Sequence, residues 1–224
     1  MNRPLVQSPG GVTLAGGGPV SATDLRRCLA RAPMAVAADG GADRLLAHGV
    51  MPEAVIGDMD SLSEAARARI PAARLHPIAE QESTDFDKAL RSIRAPFILA
   101  TGFAGGRIDH GLAAMNALLR HAGRACILVG PKDLAFAAPP RPIALALRPG
   151  DTVSLFPLAR VGGRSEGLHW PIAGLDFAPD GVIGTSNRAT GRRVELAFDR
   201  PGMVVMVPRG RLDATIRALT EGGG

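Results

Sequence analysis

Asp58 and Asp60 stand one residue apart in Gly57-Asp58-Met59-Asp60-Ser61, directly after the apolar run Ala54-Val55-Ile56. Extended backbone sends alternate side chains to the same side, so this spacing predicts two carboxylates converging on one point. Like charges that close repel unless a cation lies between them. A hard divalent ion such as Mg²⁺, which also bridges phosphates, is the usual solution. Aspartates at strand ends also serve ordinary turns and helix caps.

Three further stretches have chemical potential. Asp39-Gly40-Gly41 follows the apolar run Met34–Ala38. Gly102-Phe103-Ala104-Gly105-Gly106-Arg107-Ile108-Asp109-His110 joins an apolar run to a helical pattern. Gly105 and Gly106 there let backbone N–H groups approach an oxyanion, and Arg107 can fork onto phosphate oxygens. Asp109 and Asn116 are seven apart, two helical turns along one face. The plainer reading is a glycine-rich turn, with Asp109 favouring the helix start and His110 a polar neighbour rather than a proton relay. Thr84-Asp85-Phe86-Asp87-Lys88 opens another helix. Thr84 and Asp85 serve there as cap and dipole-stabilising acid, or Asp85 joins Asp58 and Asp60 around a cation while Lys88 faces phosphate.

The elements that must position these residues alternate over the first two-thirds of the chain. Strand patterns at Val12–Ala15, Met34–Ala38, Ala54–Ile56, Arg74–Ile78, Phe97–Ala100 and Cys126–Val129 alternate with helical ones. The helices are placed after the capping box Ser21-Ala22-Thr23-Asp24, and at Ala42–His48, Ser63–Ile70, Thr84–Ile93 and Ile108–His121. This order predicts an α/β fold with a mostly parallel sheet flanked by helices, its ligands at the carboxyl ends of the strands. The glycine and aspartate clusters at 16–18, 39–41, 58–60 and 102–106 each follow a strand.

The pattern changes at Pro139-Pro140-Arg141-Pro142. Beyond it, β-like stretches at Ile143–Leu147, Thr152–Phe156, Val182–Ile183, Val194–Phe198 and Met203–Val207 are separated by Gly, Pro and Asp, with a helical tail near Ala214–Leu219. That reads as a smaller all-β sandwich, giving two domains, 11–138 and 142–224. The single tryptophan, in Gly167-Leu168-His169-Trp170-Pro171-Ile172, reads as a core residue, and Gly184-Thr185-Ser186-Asn187 as a hairpin turn.

Composition narrows the function classes. The chain of 224 residues is long enough to fold unaided. Its net charge of +5 and pI near 10.4 suggest nucleic acid. The only lysines are Lys88 and Lys132, however, the arginines are scattered, and no aromatic residues interleave with basic runs, so no nucleic-acid partner is expected. No apolar run approaches a membrane span, and Met1-Asn2-Arg3-Pro4 does not open a signal peptide. Cys28 and Cys126 read as buried thiols in a reducing, cytoplasmic setting.

Taken in order, these segments resemble the thiamine pyrophosphokinase (thiamine diphosphokinase) family. The matching stretches are Ala38-Asp39-Gly40-Gly41-Ala42, Gly57–Ser61, Thr84-Asp85 with Lys88, Gly105–His110 with Asn116, Gly167–Ile172 and Gly184–Asn187. The resemblance implies an α/β catalytic domain followed by a β-sandwich. It further implies transfer of the pyrophosphoryl group of ATP to the hydroxyl of thiamine, releasing AMP. Asp58, Asp60, Asp85 and Asp109 would then be the catalytic acids, with Mg²⁺ held by Asp58, Asp60 and Asp85. Asp39, Gly40, Gly41, Lys88, Gly105, Gly106, Arg107 and Asn116 would lie along ATP, and Trp170, Ser186 and Asn187 along thiamine. It implies a homodimer with the active site at the subunit interface.

Two departures stand out. Met59 replaces a frequent Phe, and Gln81-Glu82 stand where a Lys-Asp pair is common, removing one phosphate-facing cation. Two other readings keep the fold. One is a pyrophosphokinase for another small alcohol such as a pterin; the other is a non-catalytic thiamine or nucleotide sensor, whose mark would be loss of the acids.

Overall fold

The structure is a computed structural model and describes residues 4–221. The chain forms two compact units. One holds the residues up to Ala117 together with Leu128–Pro131; the other holds Leu118–Ile127 and the residues from Lys132 on.

In chain order the elements up to the first unit's close are β1 (Val6–Gln7), β2 (Val12–Ala15), α1 (Ala22–Leu29), β3 (Met34–Ala38), α2 (Gly41–Ala47), β4 (Ala54–Gly57), α3 (Glu64–Arg69), β5 (Leu75–Pro77), α4 (Asp85–Ser92), β6 (Ile93–Arg94), β7 (Ile98–Thr101), α5 (Ile108–Arg120) and β8 (Cys126–Val129). Strands β7, β2, β3, β4 and β5 lie side by side in that order, all parallel. β2, β4 and β7 are buried along their whole length, as strands covered on both faces must be. Ala15, Ala35, Ala37 and Val55 face a core shared with Leu25 of α1, Leu45 of α2 and Ala66 of α3. Leu14, Val36 and Ile56 alternate with them and point to the other side. There α4 packs on β3 and β4. The small pair β1 and β6 was not foreseen; two residues each carry no readable periodicity.

The helices start where their caps dictate. Ser21 accepts a hydrogen bond from the Asp24 N–H at 3.0 Å, Ser63 from Ala66 at 3.1 Å and Thr84 from Asp87 at 3.3 Å. Each serves one otherwise orphaned donor of the first turn.

The second unit comprises β9 (Asp133–Ala137), β10 (Ile143–Ala146), β11 (Thr152–Pro157), β12 (Gly163–Glu166), β13 (Gly184–Arg188), β14 (Arg193–Phe198), β15 (Met203–Pro208) and α6 (Leu212–Thr220). Its strands pair antiparallel in two groups, β13-β11-β15-β9 and β10-β14-β12. α6 packs on β10. Phe177, Leu155, Val205 and Leu196 are among its fully buried side chains.

Two expectations change here. The strand expected at Val182–Ile183 is a single bridge from Val182 to Phe177. The stretch Gly184–Asn187, expected as a turn, is instead strand β13, paired with β11. Its polar side chains suit an edge strand, where one row of backbone groups and the alternate side chains meet solvent. Cys28 and Cys126 are both free and buried, as expected. Burial pushes the Cys28 thiol up to about 12 and raises Cys126 further, which leaves both unreactive.

Candidate functional site

In the first unit the carboxyl ends of the parallel strands open onto a cleft of about 710 Å³. Close backbone packing builds its floor. A Cβ on Gly41 would lie 2.0 Å from the Ala15 carbonyl oxygen, so α2 begins directly against the end of β2. A Cβ on Gly57 would lie 2.9 Å from the Cβ of Asp39 and 3.0 Å from Oδ1 of Asp85. The missing side chain lets two acids from other elements close over the end of β4.

Asp39, Asp58 and Asp60 each bring a carboxylate oxygen within 4.8 Å of the others. The convergence of Asp58 and Asp60 arises differently from the extended alternation expected. β4 ends at Gly57, and Met59 takes a left-handed φ of 67°, so the chain turns between the two acids. That conformation costs a non-glycine residue roughly 1–2 kcal/mol. Burial of the Met59 side chain in the core of Ala15, Leu45 and Leu62 offsets it.

Asp39 joins the cluster in a place the sequence did not reveal. It too has a left-handed φ, 43°, and is almost wholly buried. Its Oδ2 accepts the Ser61 N–H at 3.0 Å, while its Oδ1 is buried with no hydrogen-bond partner among the described residues. Burial pushes its carboxyl up to about 6, and the nearby Asp60 and Asp85 add to the rise against the Ser61 bond. A buried carboxylate oxygen without a donor, facing two further carboxylates, fits a hard divalent cation.

Asp85, expected as the third metal acid, shares an amine with Asp58. Its Oδ1 lies 3.0 Å from Nζ of Lys88, and Oδ2 of Asp58 lies 3.1 Å from the same nitrogen. Lys88 is fully buried. Burial alone would lower its pKa, but the hydrogen bonds to Asp85 and Asp58 outweigh that and raise it. Burial alone would raise the Asp58 carboxyl, but the Lys88 contact, with the Asp60 N–H and Gln81, outweighs it and lowers it. The amine therefore neutralises acids from below the cleft rather than facing it. Gln81, in the second of the two departures, donates to the same Asp58 Oδ2 at 3.2 Å.

The glycine-rich loop reaches the cleft through Gly102, Phe103, Gly106, Arg107 and His110. Gly105 has a φ of 84°. Asp109 is exposed and bound by Arg107 in a fork, with Nε–Oδ1 at 3.1 Å and Nη2–Oδ2 at 2.5 Å. That fork holds the Asp109 carboxyl down at about 2. It lies outside the acid cluster, and Asn116 is exposed on α5 and does not line the cleft. Sequence reading passed over Asp43 and Arg44 of α2 and the tilted ring pair Phe86–Phe103, whose centroids are 4.3 Å apart, although all four line the cleft. The helical spacing of Asp43 and Arg44 looks like any solvated helix face.

In the second unit, Trp170 is half exposed rather than core. Buried Asn187 of β13 holds its main chain on both sides. Oδ1 accepts the Trp170 N–H at 3.1 Å and the Arg188 N–H at 2.8 Å, and Nδ2 donates to the Trp170 carbonyl at 2.7 Å. The indole meets His169 edge-on at 4.5 Å, and the Arg188 guanidinium lies 5.4 Å above its ring. Ser186 has a left-handed φ of 63° and donates its N–H to Ser154 Oγ at 3.0 Å.

The chain is similar to known proteins over most of its length. A family model described as thiamin pyrophosphokinase, catalytic domain, matches residues 25–129. A second, described as thiamin pyrophosphokinase, vitamin B1 binding domain, matches residues 142–203. Thiamine pyrophosphokinase 1 of Arabidopsis thaliana is 25% identical over 202 residues, covering 75% of each chain. The solved thiamin pyrophosphokinase from Candida albicans superposes with a TM-score of 0.77 at 16% identity, over 92% of each chain. The yeast thiamin pyrophosphokinase structure gives a TM-score of 0.74 at 18% identity, over 91% of this chain and 88% of that one. At such identities these structures speak for the fold. With both family models matched in order over most of its length, the chain belongs to the thiamine pyrophosphokinase family.

Proposed function

We propose that this protein transfers the pyrophosphoryl group of ATP to the hydroxyl of thiamine, giving thiamine diphosphate and AMP. The observation that carries the reading is the convergence of Asp39, Asp58 and Asp60 at the carboxyl ends of a parallel sheet, in a chain of this family. The hydroxyl oxygen would attack the β-phosphorus of ATP as the bond to the α–β bridging oxygen breaks. AMP leaves with that oxygen, and the hydroxyl proton passes to solvent. Such a reaction depends on in-line positioning and on neutralising charge more than on a strong base.

Mg²⁺ fits the donor set of Asp39, Asp58 and Asp60, with the orphaned Asp39 Oδ1 as its clearest mark, and when bound it neutralises phosphate charge. Lys88 holds Asp58 and Asp85 in place. Arg107 is available to phosphate if it exchanges Asp109 for it. Trp170, set by Asn187, offers an aromatic face to the cationic thiamine rings. We read residues 11–138 as the catalytic domain and 142–224 as the thiamine-binding one, in a cytoplasmic homodimer with the active site at the subunit interface. Among the described residues no helix is long and apolar enough to cross a membrane.

Incubation with thiamine, ATP and Mg²⁺ tests the reaction. Thiamine diphosphate and AMP should form in equal amounts. ADP with thiamine monophosphate, or no conversion of thiamine while another alcohol reacts, would overturn the assignment. Asp58→Asn and Asp60→Asn should each lose nearly all turnover while remaining folded.

A further inference from the structure

The charges around the cleft of the first unit are unevenly matched. Asp39, Asp43, Asp58 and Asp85 line it. Lys88, beneath, is shared by Asp58 and Asp85. Of the two arginines that line it, Arg107 is engaged by Asp109. Arg44 is the other, and among the described residues it has no carboxylate partner.

Arg44 is nonetheless held. Its Nε donates to the Gly17 carbonyl at 2.9 Å, in the glycine turn after β2. The helix that carries it is pressed against the same strand end, where Gly41 admits the Ala15 carbonyl. A neutral carbonyl acceptor orients a guanidinium without cancelling its charge. The pair of terminal amines keeps its fork of donors, the geometry that matches two oxygens of one phosphate. Arg107, by contrast, has spent its fork on a carboxylate.

We propose that Arg44 binds a phosphate group of the donor nucleotide. The proposal rests on the reading of this cleft as the ATP site. An oriented, uncompensated guanidinium among acids supplies the attraction that a polyanion needs there and that Lys88, buried and neutralised, does not.

Calorimetric titration of Mg²⁺·ATP, Mg²⁺·tripolyphosphate and adenosine into the wild type, Arg44→Gln and Arg44→Lys tests it, with melting temperatures measured beside them. Arg44→Gln should weaken ATP and tripolyphosphate binding by roughly tenfold to a hundredfold, the range for a charge-assisted hydrogen bond, and leave adenosine unchanged. Arg44→Lys should recover part of the loss. In turnover, KM for ATP should rise while KM for thiamine stays constant. Equal binding of tripolyphosphate by wild type and Arg44→Gln overturns the proposal, as does an equal loss for adenosine. If Arg44→Gln does not fold, Arg44→Lys decides: weaker tripolyphosphate binding with adenosine unaffected supports the contact, and unchanged binding overturns it. Wild type that converts thiamine normally while Arg44→Gln binds ATP as tightly leaves the reaction standing without this contact. Wild type that binds neither ATP nor tripolyphosphate removes the ATP-site reading itself.

Discussion

Nζ of Lys88 lies 3.1 Å from Oδ2 of Asp58, thirty positions earlier in the chain. The amine comes from α4 and the carboxylate from the turn after β4, so packing of α4 on β4 is what brings them together. Asp85 shares the same amine. One buried cation thus serves two acids of the cleft, while Asp39 and Asp60 have no cation of their own among the contacts seen in the structure.

Lys88→Met should therefore destabilise the protein. Breaking a buried pair costs roughly 3–5 kcal/mol, and the lower end applies because Asp85 remains 30% exposed. Urea denaturation in EDTA measures it, and added Mg²⁺ should recover more stability in the variant than in the wild type. A variant as stable as the wild type without metal would show that the pair contributes nothing net.

Asp39 should make the metal-free protein sensitive to pH. Its native carboxyl, at about 6, binds a proton more tightly than the unfolded chain does, with its ordinary value of 3.8. The resulting stability is present below pH 4 and is lost as pH rises through 6. Asn tolerates the left-handed backbone there. Asp39→Asn in EDTA should melt above the wild type at pH 7.5, by at most on the order of 2–3 kcal/mol, and lose turnover. Equal slopes of melting temperature against pH from 5 to 7.5 in both proteins would remove Asp39 as the source.

Trp170→Ala should leave the fold nearly intact, because the ring is 51% exposed. It should raise KM for thiamine about tenfold, the weight of one partly desolvated cation–aromatic contact, with KM for ATP unchanged. Arg188→Gln should act oppositely. Its guanidinium already stands over the indole, and removing it frees that face for the cationic substrate. A higher KM for thiamine in Arg188→Gln would place the substrate elsewhere.

Asn187→Ala should resemble a weakened Trp170 rather than a lost contact of its own. Three hydrogen bonds of the Asn187 side chain hold main-chain groups of Trp170 and Arg188. Leaving such groups unpaired costs roughly 1–3 kcal/mol. Melting temperature and KM for thiamine should shift together, and combining this change with Trp170→Ala should add little further to KM. Full additivity would argue for a separate contact.

The Asp151–Arg211 pair sets an acid limit on the second unit. Arg211 Nε lies 2.6 Å from Oδ2 of Asp151, and Arg148 donates its N–H to the same oxygen at 2.7 Å. Burial raises the Asp151 carboxyl, but these contacts outweigh it and hold it below its ordinary value. That stability is present above pH 4 and lost as pH falls through the lowered native value. Asp151→Asn should cost at most about 3 kcal/mol at pH 7 and flatten the acid limb of a denaturation curve. Identical acid midpoints would show the pair to be inert.

Much of the fold was legible because its signals are local. The parallel strands are short, mostly apolar and separated by capped amphipathic helices, and Cys126–Val129, Val12–Ala15 and Met34–Ala38 lie within the bounds their pattern predicts. The edge strand β13 was not legible. Ser186 and Asn187 have turn-forming side chains, and only pairing with β11 makes them a strand.

By itself the sequence determined the order of elements, the glycine turns at strand ends and the proximity of Asp58 to Asp60, since these depend on neighbours within a few positions. Only the tertiary structure decided which acids share a point. Asp39 comes from the turn after β3, Asp58 and Asp60 from the turn after β4, and Lys88 from α4. Their meeting depends on parallel strand ends aligning side by side and on Gly57 leaving room between them. The same holds for Arg44, an ordinary arginine of a helix face until Gly41 seats that helix against β2 and the Gly17 carbonyl turns its charge to the cleft. Charge and spacing are written along the chain, but the partner that cancels a charge, or leaves it free, is set by packing across it.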